Sequence, residues 1–196
     1  MDTARYVFGV LVVTFLPPGI LWWFIVHPFV GFWRRVGPGP TLTLVAGAMI
    51  VGALGLMTVR DELLMTDLGT RPELIVLAAL LASAAAWIAI ERKKYLTFRI
   101  LAGVPELEEG GKGGELLTEG IYSRIRHPRY VEIVLGTFAY AAFSNYLGAY
   151  LIAIATVPLL HLIVILEERE LAARFGAEYE AYRASVPRYW PRRRST

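Results

Sequence analysis

The sequence predicts an all-α polytopic membrane protein with five transmembrane helices, the last two forming a hairpin followed by a cytoplasmic amphipathic tail. Three observations carry this reading. Of the 196 residues 56% are hydrophobic, the mean hydropathy is +0.49, and the apolar residues fall in long blocks with the 20 basic and 17 acidic residues gathered between them. Soluble domains run at roughly 45–50% apolar even with glycine counted, so lipid is the better-matched solvent. The length suits a single domain over residues 1–196. Within it, 1–91 reads as a three-span part and 92–196 as a loop, a two-span hairpin and a tail.

Runs free of Asp, Glu, Lys and Arg, but for Glu132 near the start of the fourth, extend approximately over 6–28, 41–59, 74–90, 130–146 and 147–166. A spanning helix needs about 20 such residues to cross some 30 Å of hydrocarbon. The first run holds Pro17-Pro18-Gly19 at mid-span, which removes helix hydrogen bonds and predicts a kink. It ends in Trp22, Trp23, Phe29 and Trp33, suited to an aromatic belt at the interface, and the absence of a small-residue cleavage site after it favours a span over a signal peptide. The second run carries Ala48 and Gly52, and the third Ala78, Ala82 and Ala86, small residues at intervals that let helix backbones approach in lipid. Only Ser144-Asn145-Tyr146-Leu147-Gly148 separates the fourth and fifth runs, which leaves room for a tight reversal and predicts the hairpin.

Alternating these spans with the N-terminus outside puts Arg5, Arg60 and Arg71 outside and the other 17 of the 20 Lys and Arg residues inside. Under the positive-inside rule this places the loop 91–129 and the C-terminal tail together in the cytoplasm. The formal net charge of +3 is therefore a feature of the membrane face, and no nucleic-acid partner is expected.

Cysteine is absent, which excludes disulfides, a thiolate nucleophile, Cys-ligated zinc and iron–sulfur clusters. His27, His127 and His161 are the only imidazoles, and no metal site is expected. Within the loop, Glu106 to Gly114 is rich in Glu and Gly and contains neither G-x-G-x-x-G nor G-x-x-x-x-G-K-[ST]. It reads as a connector, not a phosphate cradle. The tail should continue the fifth span through Glu167-Glu168-Arg169-Glu170-Leu171, pause near Gly176 and form a short amphipathic helix to Pro187. Its Phe175, Tyr179, Tyr182, Tyr189 and Trp190 would lie along the membrane or cover a site.

The densest polar cluster runs from Leu116 to Tyr130. Pro128 is tolerated in a first helical turn, so it should open the fourth span and leave Arg126-His127 at its mouth. Tyr122, His127 and Tyr130 offer hydrogen bonds and aromatic faces, and Arg124, Arg126 and Arg129 attract an anionic group; the same composition also suits a plain basic interface segment. Glu132 lies just inside a span, where an ionisable group is costly and marks a functional site unless it pairs or snorkels. His161 is either a packing histidine or a polar group lining a cavity, and Glu167-Glu168 either solvated helix-end charges or a cation-binding pair.

Tyr122-x4-His127-Pro128-x-Tyr130, preceded by Leu116-Leu117-Thr118-x-Gly120 and followed by Glu167-Glu168-x2-Leu171-x3-Phe175-Gly176-x2-Tyr179-x2-Tyr182-x3-Val186-Pro187, resembles the isoprenylcysteine carboxyl methyltransferase and phospholipid methyltransferase superfamily. The resemblance covers the C-terminal 75 or so residues. It implies an integral membrane methyltransferase that uses S-adenosylmethionine without a Rossmann domain. By position, Leu116, Leu117, Tyr122, His127 and Tyr130 resemble cofactor contacts, and Glu167, with Glu168, the cofactor-binding carboxylate. The implied acceptor is a membrane lipid or other lipophilic molecule, O- or N-methylated at the cytoplasmic face. Because a sulfonium is already a good leaving group, alignment should supply most of the acceleration. Where the acceptor carries a proton, Glu132 or His161 is the candidate base, and Arg126 could orient an anionic acceptor.

Prenylcysteine-type members resemble one another in an arginine one turn before the glutamate pair, where this chain has Ile163 and Val164. Glu132 likewise stands where a small residue is common. Both departures point to an acceptor other than a prenylcysteine carboxylate. Two alternatives stay open: a nicotinamide-dependent reductase resembling the membrane sterol reductases, and a non-catalytic scaffold of the same fold.

Overall fold

The computed structural model describes residues 1–95 and 116–191, apart from the side chain of His27; the connector 106–114 lies outside them. The described residues form α1 (Asp2–Val26), a 3-10 turn (His27–Phe29), α2 (Val30–Val36), α3 (Pro38–Thr58), α4 (Arg60–Leu64) and α5 (Pro72–Lys93). A second 3-10 turn (Gly120–Ser123) then precedes α6 (Pro128–Ser144), α7 (Leu147–Phe175) and α8 (Ala177–Ser185). Among these residues there is no β-strand; Asp67 and Tyr146 make one isolated bridge.

Four helices, α1, α3, α5 and α7, are long and apolar enough to cross a membrane, and the protein is an integral membrane protein. The fourth predicted span coincides with α6, which at 17 residues is shorter than those four. Proline opens α3, α5 and α6 in the first turn, where its missing N–H leaves no helical bond unmade. Pro17 and Pro18 lie inside a continuous α1; lipid-embedded helices tolerate this because neighbouring groups re-satisfy the freed carbonyls.

Helix α1 is central and packs against α3, α6 and α7, while α5 packs most extensively on α6. Val12, Val13 and Ile20 of α1 are buried, and Thr14 satisfies its hydroxyl by donating to the Val10 carbonyl at 2.7 Å. Helix α3 approaches α1 where Gly52 faces Pro18, with 3.4 Å left to a Cβ at Gly52. The outward faces of α3 and α5 expose Leu44, Val51, Leu54, Val76 and Leu80, an arrangement lipid accepts and water would not.

One end of the bundle is tied by polar contacts. Arg5 is buried and pairs with Asp67, Asn145 donates through Nδ2 to the Gly69 carbonyl at 2.8 Å, and the backbone pairs Leu68 with Asn145 and Leu147 with Thr66. Asn145, in the left-handed region, closes α6 and reverses the chain into α7. There α4 presses on α7 so closely that a Cβ on Gly148 would stand 1.8 Å from the Leu63 carbonyl oxygen. At the other end α7 runs on past Glu167 and Glu168 to Phe175, and α8 folds back after Gly176.

Candidate functional site

At this second end, residues 116–127 turn over the ends of α5 and α6. Gly120 sits at φ +58, and a Cβ there would come 2.2 Å from the Tyr95 ring, so the motif glycine answers both backbone conformation and space. The turn it makes buries Ile121, Tyr122 and Ile125 against Ile88 of α5, with Leu117 alongside. Leu116 faces the other way and packs with Tyr179, Tyr182 and Val186 of the tail.

The tail is held to this segment by its own backbone. Arg126 N–H donates to the Pro187 carbonyl at 2.9 Å and His127 N–H to the Arg188 carbonyl at 3.1 Å. The Tyr182 hydroxyl donates to the Tyr122 carbonyl at 2.7 Å, and the Arg126 guanidinium donates through Nη1 to the Arg183 and Val186 carbonyls at 2.6 and 2.9 Å. Tyr189 continues inward, its hydroxyl 2.8 Å from Nδ1 of His161.

Glu168 is the centre of this arrangement and is buried. Its Oε1 accepts from Arg126 Nη2 at 2.7 Å, from His127 Nε2 at 3.0 Å and from Arg188 Nε at 3.0 Å, and its Oε2 accepts from Arg188 Nη2 at 2.5 Å. Four donors saturate the carboxylate, which is the condition under which a buried ion cluster is tolerated. Glu167, the adjacent residue, keeps 32% of its side-chain exposure and stands 3.6 Å through Oε2 from His127 Nδ1; it is also hydrogen-bonded to Tyr130. His127 and Tyr130 lie with ring centroids 5.8 Å apart.

A carboxylate thus faces each nitrogen of His127. Burial works against its charged form, but the two facing carboxylates, Glu167 and Glu168, outweigh burial and lift the imidazole above its ordinary value. Burial pushes the Tyr122 and Tyr182 phenols up and Tyr179 up to about 12, so these rings keep their protons at neutral pH, and Tyr182 donates its own to the Tyr122 carbonyl.

The predicted site residues therefore fall into three places. Tyr122, Arg126, His127, Tyr130, Glu167 and Glu168 come together, with Leu116 and Leu117 packed behind them. Glu132 lies on another face of α6 and accepts from Arg92 Nε and Nη2 at 2.8 and 3.2 Å. His161 is exposed on α7 beside Tyr189. Sequence reasoning missed Arg92 and Arg188: the first is one of several cations ending a helix, and the second follows Pro187 in a stretch with no periodic pattern. An intramembrane Glu132 in want of a cation was the one signal for Arg92.

The phospholipid methyltransferase family model matches residues 73–178, which takes in α5, the 116–127 segment, α6, α7 and the start of α8. Methanethiol S-methyltransferase 2 of Bradyrhizobium diazoefficiens is 35% identical over 80 residues, 41% of this chain and 30% of that protein. The nickel-cobalt-cadmium resistance protein NccN of Alcaligenes xylosoxydans xylosoxydans is 32% identical over 83 residues, 42% of this chain and 39% of that protein. The matched stretch spans about a third of the length of these relatives, 30% of one and 39% of the other. No solved structure matches the chain. With a membrane-embedded helical bundle, a family match over more than half its length and a methyltransferase among its relatives, the chain belongs to the phospholipid methyltransferase family.

Proposed function

We propose that this protein transfers a methyl group from S-adenosylmethionine to a lipophilic acceptor at the cytoplasmic face of the membrane, with α6 acting as a fifth span. The observation that carries this reading is the division of labour between two adjacent carboxylates. Glu168 is saturated by Arg126, His127 and Arg188, so it holds the tail. Glu167 is oriented by His127 and Tyr130 and still partly exposed, so it is the carboxylate left to accept from ribose hydroxyls.

The residues present fit the cofactor on chemical grounds. Beside Glu167 stand the rings of Tyr122, Tyr130 and Tyr189, which suit a stacked adenine and tolerate a sulfonium. The buried Arg92 side chain has an Nη1 with no hydrogen-bond partner among the described residues, a donor left for an anionic group. When bound, S-adenosylmethionine supplies an electrophilic methyl on a cationic sulfur, which leaves as the neutral thioether while the acceptor's lone pair forms the new bond. The protein's part is to align acceptor and methyl and to exclude water, and neither role requires a thiol or a metal.

Arg126 spends both terminal nitrogens on the tail and Glu168, so we assign it to holding the site closed. Glu132 and His161 are the bases available to an acceptor that carries a proton, Glu132 paired with Arg92 and His161 oriented by Tyr189.

Incubation of the purified protein with methyl-labelled S-adenosylmethionine and a total lipid extract tests the reading. A labelled lipid-phase product that depends on Glu167 is expected. Absence of label, together with saturable NADPH binding, would instead favour the reductase.

A further inference from the structure

A groove of about 590 Å³ opens between α1, α5 and α6, away from the Glu168 cluster. Its walls are apolar, with Leu11 and Phe15 on α1, Ala86 on α5 and Gly136 and Thr137 on α6, and the one charged residue lining it is Glu132. Small side chains make the space: no atom lies within 4 Å of where a Cβ would stand on Gly136. A volume of this size is that of sites for drug-sized ligands, roughly 300–1,000 Å³, far more than a one-carbon thiol requires.

The groove's polar end is built. Arg92 holds the Glu132 carboxylate through two hydrogen bonds, at 2.8 and 3.2 Å, and its own side chain is only 7% exposed. The carboxylate is therefore held in place by the arginine, and of the pair it is Glu132 that lines the groove. Arg92 also acts electrostatically on the Tyr122 hydroxyl, as Glu167 does. One arginine thus links the head of the groove to the end proposed to hold the cofactor.

We propose that this groove binds the methyl acceptor, a single hydrocarbon chain bearing a neutral or cationic hydrogen-bond-donating head, an alcohol or an amine, which donates to Glu132. The inference rests on the methyl-transfer reading for the word acceptor, but the binding site stands on the groove alone. Charge complementarity selects the head: an anionic group meets a fixed carboxylate and is repelled, whereas a donor gains a charge-assisted bond. The apolar walls select the chain, which can slide in from the lipid without leaving hydrocarbon.

The test is photolabelling of the full-length protein in phosphatidylcholine nanodiscs with three twelve-carbon probes, each carrying a diazirine at the chain end and an amine, an alcohol or a carboxylate at the head. Adducts are mapped by mass spectrometry. The amine and alcohol probes should label Phe15, Thr137 and neighbouring groove residues, with the carboxylate at least about tenfold weaker, the size of one charge-assisted hydrogen bond lost. Glu132→Gln should narrow that gap to about threefold or less. Since Glu132→Gln also strips Arg92 of its partner, Gly136→Leu provides a second variant that fills the groove and keeps the ion pair; it should cut amine labelling at least about fivefold.

Equal labelling by all three heads in the wild-type protein, labels scattered over α3, or full labelling of Gly136→Leu would each overturn the proposal. Calorimetric titration of the same nanodiscs with S-adenosylmethionine separates the two readings. Groove labelling without cofactor binding would sustain the site and overturn the methyl-transfer function, whereas cofactor binding without groove labelling would do the reverse.

Discussion

Arg188 reaches back from the tail to Glu168 on α7, with Nη2 at 2.5 Å from Oε2 and Nε at 3.0 Å from Oε1. This two-pronged contact fastens a chain segment that no helix holds, and it leaves the neighbouring Glu167 as the exposed member of the pair.

Glu168→Gln should destabilise the protein by about 3–5 kcal/mol, because removing one member of a buried ion cluster strands the others. Arg188→Ala should cost less, about 1–2 kcal/mol, since Arg126 and His127 remain and the Arg188 side chain is 35% exposed. Thermal unfolding in detergent measures both, and limited proteolysis should show the tail released earlier in each variant than in the wild type.

Stability should depend on the charge of His127. Its folded-state value is raised above the ordinary 6.5, so the stabilisation is fully present below about that pH and is lost as pH rises through the folded value. Melting temperatures recorded from pH 5.5 to 9 should fall across the alkaline part of this range. In His127→Asn that component of the fall should vanish.

Two glycines are required for close approach and one is not. Gly148→Ala drives a methyl onto the Leu63 carbonyl oxygen and should cost about 3 kcal/mol or more, since backbone on both sides has to move. Gly120→Ala, strained in φ and against Tyr95, should also lower stability and displace Tyr122. Gly47→Ala, with no atom within 4 Å of the added Cβ, should be neutral or slightly stabilising, as expected for alanine in a helix. Parallel melting curves decide all three.

The two ends of the bundle should lie on opposite sides of the membrane, with the Glu168 end in the cytoplasm. The chain has no cysteine, so Ser123→Cys and Thr70→Cys, both at exposed positions, can be labelled singly. A membrane-impermeant maleimide applied to intact cells should modify Thr70→Cys and spare Ser123→Cys. The opposite pattern would reverse the orientation.

The helices were legible because each rests on a local signal. Runs of apolar residues located α1, α3, α5 and α7, Pro128 marked the start of α6, and the short Ser144 to Gly148 interval gave the hairpin. That the His127 to Tyr130 segment and the glutamate pair lie at one level followed from the antiparallel hairpin, since one precedes its first helix and the other ends its second. The different surroundings of Glu167 and Glu168 were not legible. Consecutive residues on a helix point about 100° apart, and which one meets the tail depends on how residues 186–190 return, a matter of tertiary docking. The Arg92 to Glu132 pair joins positions 40 residues apart, and no periodicity links two charges on different helices.

The most direct measurement is calorimetric titration of the purified protein with S-adenosylmethionine and S-adenosylhomocysteine, in wild type and Glu167→Gln. The expected result is saturable binding of both ligands, weakened at least about tenfold in Glu167→Gln by loss of a charge-assisted hydrogen bond. No binding by the wild type, or full-strength binding by Glu167→Gln, would contradict the assignment of Glu167 to the cofactor and Glu168 to the tail.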